Sequence, residues 1–267
     1  MLTLAIALVL SGAVAGLLAG LFGIGGGAIL VPVLVQALAM LDVDESIRMH
    51  LAVATSLGIV VPTSIRSFMA HRKHGAVDMP LLRSWAVVLP VGAILASAVA
   101  AIISGASLKW IFTAIATVVG IKMLINKPGW IVAKDLPGQP MRSLYGLLIG
   151  FFSTLMGIGG GIMNNTFMML YNQPIKRAVA TSSGVGVLIS IPAVIGLIVA
   201  GWHKSDLPEF SLGYVNMLAV ALIMPISLLT APVGARMAHA ASKRTLEVSF
   251  GVFLLAVSAQ FAWSLLA

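Results

Sequence analysis

The string that decides the fold is GIGGG at residues 23–27, which recurs letter for letter at residues 157–161. Each copy interrupts a long apolar stretch, and each is followed by a second shared string, AVATS, at residues 52–56 and 178–182. The glycine strings lie 134 residues apart and the AVATS strings lie 126 residues apart, so one eight-residue deletion reconciles them. Two matches in the same order indicate an internal duplication. Duplicated apolar chains with interrupted helices are typical of membrane transporters.

The composition places the chain in a lipid environment. Hydrophobic residues make up 60% of the sequence and charged residues 9%, and the mean hydropathy is +1.07. Soluble domains carry about 25% charged residues. Several stretches here approach or exceed the ~20 apolar residues that cross a ~30 Å hydrocarbon core. We therefore predict an integral membrane protein whose constant partner is the lipid bilayer.

Ten apolar segments predict an all-α membrane protein with five segments in each half. They are residues 2–22, 24–41, 47–69, 79–103, 107–125, 141–156, 158–172, 174–201, 211–236 and 244–266. The halves are a first membrane repeat at 1–125 and a second at 141–267, joined by a polar cytoplasmic linker at 126–140. An odd number of crossings per half gives an inverted-topology repeat. The stretches at 141–156 and 158–172 are short, so they either cross fully or form a re-entrant hairpin whose tip is GIGGG.

The basic residues predict the orientation, because cytoplasmic loops collect Lys and Arg. With ten crossings, one side receives 13 of the 16 basic residues, and the other receives only Arg48, Lys109 and Lys204. We therefore predict that the first side is cytoplasmic and that both termini are periplasmic. The same loops carry no continuous basic face with interleaved aromatic residues, so no nucleic-acid partner is predicted.

The glycine clusters are the candidate substrate site. Four glycines in five residues end a helix, since glycine costs about 1 kcal/mol relative to alanine in a helix interior. The next helix then begins with unpaired N–H groups and the positive end of its dipole, which together favour an anion. The candidate residues are Gly25, Gly26 and Gly27 in the first half and Gly159, Gly160 and Gly161 in the second. The alternative is that the glycines only allow close packing of helices.

Polar residues near both clusters extend the candidate site. Asn164 and Asn165 follow the second cluster within one turn, whereas the matching stretch of the first half is apolar. Their alternative role is helix capping or helix–helix hydrogen bonding. Hydroxyl side chains recur inside apolar segments of both halves, and they line the path or bond the preceding turn. These are Thr55, Ser56, Thr181, Ser182 and Ser183.

Other functional classes lack their sequence signals. Asp, Glu, Lys, Arg and His are absent from the middle of every predicted crossing, which argues against a fixed proton relay. The sequence has neither a P-loop nor an HExxH, GxSxG or paired-carboxylate motif, so we predict no enzyme activity, no catalytic residues and no cofactor. The sequence contains no cysteine, which excludes a thiolate metal site, and no other metal site is predicted.

The two motif strings resemble the sulfite exporter TauE/SafE family. The resemblance is carried by GLLAGLFGIGGGAILVPVL at 16–34, by GFFSTLMGIGGGIMNN at 150–165 and by the AVATS strings. It implies a permease of the bacterial inner membrane for sulfite, organosulfonates such as sulfoacetate, or other small sulfur-containing anions. It also implies that both glycine clusters help to form the anion path. Asn164 and Asn165 have no counterpart in the first half, which puts equal contributions of the two halves in doubt.

The sequence therefore predicts a secondary transporter that exports a small sulfur-containing anion by alternating access. One alternative is a transporter of a different small solute, a cation or an amino acid. Another is a membrane interaction subunit that transports nothing. The exported anion is the predicted partner, and assembly as a homodimer is left open.

Overall fold

The computed structural model describes residues 9–10, 12–18, 27–125, 131–204, 206–240 and 243–266. Within these residues the protein is helical apart from one short hairpin. The first half contains α1 (residues 12–18), α2 (Gly27–Ala39), α3 (Glu45–Lys73), α4 (Met79–Ser84), α5 (Val88–Ile102) and α6 (Gly105–Ile125). The second half contains α7 (Met141–Leu155), α8 (Gly161–Leu170), α9 (Ile175–Gly201), β1 (Ser211–Leu212), β2 (Val215–Asn216), α10 (Met217–Ala240) and α11 (Lys243–Leu266).

Four helices of the described residues are long and apolar enough to cross a membrane. They are the helical stretches Glu45–Lys73, Gly105–Ile125, Ile175–Gly201 and Arg244–Leu266. Shorter apolar helices accompany them in both halves, among them Gly27–Ala39, Val88–Ile102, Met141–Leu155 and Met217–Ala231. The fold is therefore that of an all-α, multi-pass membrane protein.

The centre of the bundle is formed by α3 and α9. Every residue from 49 to 57 in α3 and from 180 to 186 in α9 is buried. Since these stretches contain most of both AVATS strings, the duplicated residues face protein on every side.

Corresponding helices of the two halves run antiparallel where they touch. On α3 and α9, Gly186 faces Ser64 while the earlier residue Gly184 faces the later residue Phe68. On α6 and α11, Arg244 bonds Met123 O near one end, and Ser258 bonds Thr113 O further along. Two copies inserted the same way up would place these counterparts parallel, so the contacts have the direction that an inverted repeat predicts.

Two predicted segments differ from the observed elements. The segment at 79–103 is divided into α4 and α5, with the buried Trp85 as the C-cap of α4. The segment at 211–236 begins with a hairpin in which Leu212 pairs with Val215. Its two-residue turn has Gly213 at φ 54°, the backbone that a tight hairpin turn requires at its first central position. Apolar content alone does not separate this short hairpin from the start of a helix.

Candidate substrate site at the glycine break

The break between α7 and α8 depends on glycine backbones. Gly157, Gly159 and Gly160 have φ values of 69°, 65° and 85°. L residues with a β-carbon rarely adopt this region, whereas glycine does so at little steric cost. Gly160 is the N-cap of α8, and residues 157–161 are all buried. The second GIGGG string therefore ends one helix and starts the next within the protein interior.

α7 and α8 form a hairpin whose tip is this glycine string. Tyr145, near the start of α7, lies against Phe167 near the end of α8, with ring centroids 5.0 Å apart. The Tyr171 hydroxyl donates to the Tyr145 hydroxyl at 3.4 Å. With 15 and 10 residues, the two helices measure about 23 and 15 Å, which is less than a ~30 Å hydrocarbon core. These lengths favour the re-entrant alternative over two full crossings.

The tip presents unpaired backbone donors. The first N–H groups of any helix have no acceptor within that helix. In the described part of the chain, no acceptor is found for the N–H groups of Gly161, Ile162 and Met163, and the first bond of this turn is from Asn164 N to Gly160 O at 2.9 Å. Buried N–H groups without partners are rare in proteins. Together with the helix dipole, these N–H groups favour negative charge beside the tip.

Three polar side chains surround the start of α8. The Ser182 hydroxyl donates to Asn165 Oδ1 at 2.6 Å and accepts from Asn164 Nδ2 at 2.7 Å. Asn164 is fully buried, and its Oδ1 has no partner within the described residues. If the amide were turned round, its nitrogen would be the unpartnered atom instead. Either way, one buried polar atom of Asn164 has no partner among the described residues.

The first half touches the same tip. The Ser56 hydroxyl donates to Gly157 O at 2.8 Å. Gly27, the first residue of α2, packs so closely that a β-carbon there would lie 2.6 Å from Ile158 Cα. The N-terminus of α2 therefore lies beside the loop that leads into α8. Gly25 and Gly26 lie outside the described residues.

The remaining hydroxyl candidates lie in other contacts. Thr55 accepts from Asn216 N at 3.0 Å, and Thr181 accepts from Asp78 N at 2.9 Å. The Ser183 hydroxyl donates to Ala180 O within α9 at 2.6 Å. The structure thus brings together Gly27, Ser56, Gly159, Gly160, Gly161, Asn164, Asn165 and Ser182, and it leaves Thr55, Thr181 and Ser183 outside this cluster. In the described ranges no group of three or more His, Asp or Glu side chains is placed to hold a metal ion.

Comparison with known proteins decides the family. The family model described as "Sulfite exporter TauE/SafE" matches residues 8–261. The chain belongs to the TauE/SafE family. The resemblance of the motif strings is confirmed, and the family and its relatives' names indicate membrane transport.

Three relatives carry related names. A probable membrane transporter protein of Haemophilus influenzae is 35% identical over 260 residues, covering 97% of this chain and 98% of the relative. One from Methanocaldococcus jannaschii is 31% identical over 238 residues, covering 83% and 81%. One from Bacillus subtilis is 22% identical over 275 residues, covering 96% of both. No solved structure matches the chain significantly.

The TauE/SafE chain also contains a duplicated capping contact that sequence reasoning missed. Asp78 caps α4 by accepting from Leu81 N at 3.0 Å, and Asn216 caps α10 by accepting from Ala219 N at 2.8 Å. The backbone N–H of each cap donates to the threonine of an AVATS string, Asp78 to Thr181 and Asn216 to Thr55. Asp78 was detectable, since an aspartate directly before Met79-Pro80 is a helix-start signal.

One copy of this contact is charged. Arg177 Nη2 lies 2.9 Å from Asp78 Oδ2, and the Asp78 side chain is 6% exposed while that of Arg177 is 48% exposed. In the other copy the cap is the neutral Asn216, and Leu51 occupies the AVATS-aligned position of Arg177. Arg177 is one of the 13 basic residues on the side that the charge distribution predicts to be cytoplasmic. The buried carboxylate of Asp78 lies at the same end of the molecule, because it pairs with Arg177.

Proposed function

We propose that this TauE/SafE protein is a secondary transporter that exports a small sulfur-containing anion, such as sulfite, sulfoacetate or another organosulfonate, by alternating access. The observation that carries the proposal is the set of N–H groups at the start of α8, from Gly161 to Met163, for which the described residues supply no acceptor. Backbone donors at a helix N-terminus bind oxyanions without a charged side chain. Binding by neutral donors also suits release, since each dipole end contributes about 0.3–2 kcal/mol.

In this proposal the two halves bind the anion between them. Gly27 and Ser56 from the first half contact the 157–158 backbone, so movement of either half changes the environment of the tip. Asn164, Asn165 and Ser182 supply side-chain polarity from the second half only. The antiparallel contacts of α3 with α9 and of α6 with α11 support the inverted repeat on which alternating access depends.

The proposed location is the bacterial inner membrane, with both termini periplasmic and the residues around Asp78 and Arg177 cytoplasmic. Export then needs no proton relay. At about 100 mV, negative inside, moving one negative charge outward releases roughly 2.3 kcal/mol. This free energy sustains about a fifty-fold gradient, because 1.4 kcal/mol corresponds to a factor of ten.

A matched pair of glycine variants tests the site. Gly160→Ala adds a β-carbon at a φ of 85° and at 2.7 Å from side chains of Val185 and Ile189. Gly75→Ala meets a similar backbone penalty at a φ of 64°, but nothing lies within 4 Å of the new atom. We expect Gly160→Ala to abolish flux of labelled sulfite and sulfoacetate in proteoliposomes and Gly75→Ala to retain it. Equal flux from both variants, each folded in detergent, would remove the glycine tip from the mechanism.

A charge variant separates an anion substrate from a cation. Asn165→Asp keeps an acceptor for the Ser182 hydroxyl and adds a negative charge beside the tip. Two charges 4 Å apart at an effective dielectric constant of about 20 interact with about 4 kcal/mol. We therefore expect a ~10²- to 10³-fold weaker anion affinity, whereas the neutral control Asn165→Ser should change it far less. Stronger uptake of a cation by Asn165→Asp would instead support the alternative solute class.

A further inference from the structure

A cavity of about 660 Å³ lies at the end of the molecule where α3 and α6 begin and where α5 and α11 end. Its wall combines residues 45–50, 101–106 and 264–265 with Lys109, Lys204 and Tyr214. The volume falls in the ~300–1,000 Å³ range of small-ligand pockets. Every loop that contributes to this wall belongs to the side that the charge distribution predicts to be periplasmic. We call this cavity the outer vestibule.

The outer vestibule collects all the cations predicted for its side. Arg48, Lys109 and Lys204 are the three basic residues outside the cytoplasmic loops, and all three line the cavity. Glu45 is the one carboxylate among the described lining residues, which leaves a formal lining charge of +2. The first turns of α3 and α6 and the segment after α9 each supply one cation to this cavity, on a side otherwise poor in positive charge.

The ion pairs and hydrogen bonds of these side chains determine which of their charges can attract a ligand. Lys109 Nζ lies 3.0 Å from Glu45 Oε1 and 5.6 Å from the centre of the Phe261 ring, so its charge is already neutralised. Arg48 donates through Nε and Nη2 to Val43 O, a neutral acceptor that leaves its charge in place. Lys204 is exposed, and in the described part of the chain neither it nor Arg48 forms an ion pair with a carboxylate.

Two further features contribute to the electrostatic potential at the cavity. Asp44 lies just outside the cavity, accepts from Ser46 N at 2.7 Å and interacts with the Arg48 charge at longer range. The helix dipoles largely cancel, because two helices begin and two end at the cavity. The free side-chain charges of Arg48 and Lys204 therefore determine the sign of the site.

A buried polar atom marks the wall. His50 lines the cavity, is 4% exposed and stacks on Tyr214 with ring centroids 4.9 Å apart. Its Nε2 lies 3.0 Å from Ala100 O and must carry the hydrogen, because a carbonyl oxygen only accepts. Its Nδ1 has no partner within the described residues. Because Nδ1 only accepts in this tautomer, an ordered water in the cavity would satisfy it, and it offers no hydrogen bond to a deprotonated oxyanion.

We propose that the outer vestibule is a second anion site, which binds a small oxyanion through Arg48 and Lys204. It lies apart from the glycine tip and holds the anion at the periplasmic mouth of the path. Its part in transport rests on the proposed function, but its ability to bind an anion does not. Local accumulation of counter-ions in a charged cleft is a general property of such sites.

Binding measured in the Gly160→Ala background isolates the outer vestibule from the glycine tip. The experiment titrates sodium sulfoacetate, and separately sodium sulfate, into the full-length protein in detergent by calorimetry. We expect one remaining site, with affinity reduced about 10-fold by Lys204→Gln and about 10-fold by Arg48→Gln, because each removes a charge-assisted hydrogen bond. Lys204→Arg should retain binding, and Lys73→Gln at the opposite end of α3 should not alter it.

If Arg48→Gln does not fold, the charge-reversing variant Lys204→Glu still tests the site. Lys204 is exposed, so we expect this substitution to leave the fold intact. Its loss of sulfoacetate and sulfate binding would support the site. Unchanged affinity in Lys204→Glu, or the absence of any binding in the Gly160→Ala background, would overturn it. Because the titrations measure binding and not flux, they test the outer vestibule even if the export proposal fails.

Discussion

The two copies of the capping contact allow the ion pair between Asp78 and Arg177 to be measured against an internal reference. Asp78→Asn should keep the cap of α4, since asparagine caps as well as aspartate does, and it removes only the charge. Asp78→Ala removes the charge and the cap together. Asn216, which caps α10 without a charge, is the natural counterpart of the Asp78→Asn variant.

The expected magnitudes follow from distance and burial. At 2.9 Å the unscreened attraction at an effective dielectric constant of about 20 is about 6 kcal/mol. Solvent screening of the half-exposed Arg177 and the desolvation of Asp78 offset most of it, so we expect Asp78→Asn to cost about 1–2 kcal/mol. Loss of a cap costs about 1 kcal/mol. Asp78→Ala should therefore cost about 2–3 kcal/mol, which is about 1 kcal/mol more than Asp78→Asn.

Thermal unfolding in detergent measures these differences, at about 2–4 °C per kcal/mol for a chain of this size. Arg177→Gln, alone and combined with Asp78→Asn, closes a double-mutant cycle that isolates the coupling between the two side chains. A coupling near zero would refute the reasoning. So would equal losses from Asp78→Asn and Asp78→Ala, because the cap of α4 would then contribute nothing.

Three further predictions concern single contacts. Ser56→Ala leaves the buried Gly157 carbonyl without its donor and should lower stability by about 1–3 kcal/mol, which is measured by thermal unfolding beside the exposed control Ser107→Ala. Gly120→Leu inserts a side chain at a position where a β-carbon would already lie 3.1 Å from the α11 backbone. We expect lower stability and a wider α6–α11 contact, measured as slower disulfide cross-linking between cysteines introduced on the two helices. An unchanged cross-linking rate would contradict this. Hydrogen bonds from Ser46 lower the pKa of Asp44 below 3.8, so the carboxylate stabilises the fold above that pH and the effect is lost as the pH falls through the lowered pKa. Asp44→Ala should therefore lower the unfolding temperature at pH 7 and much less in strong acid, and an equal shift at both pH values would contradict this assignment.

The helices and their breaks were largely accessible from the sequence, because apolar length and glycine content are local properties. Each predicted segment from 24–41 onward contains a helix, and the glycine string at 157–161 ends one. The first GIGGG string lies mostly outside the described residues, so its break stays a prediction. The relation of α7 to α8 was left open by length alone, and it depends on the contacts between Tyr145, Phe167 and Tyr171.

The roles of the hydroxyl residues were not accessible in the same way. Thr55 and Ser56 are neighbours in the sequence, yet one accepts from Asn216, 161 residues away, and the other donates to Gly157, 101 residues away. Adjacent residues on a helix point in different directions, so a recurring string does not imply one shared role. Similarly, the charge count separated Arg48, Lys109 and Lys204 from the other cations, but only the fold brings them to one cavity.

The contact between α6 and α11 is reciprocal. A β-carbon at Gly120 would lie 3.1 Å from Gly251 O, and one at Gly251 would lie 3.0 Å from Gly120 O. The two glycines thus let the α6 and α11 backbones approach each other closely, as small residues do between membrane helices. Because α6 belongs to the first half and α11 to the second, this contact joins the two halves without the linker between them. The two halves, produced as separate polypeptides, are therefore expected to reassemble through it.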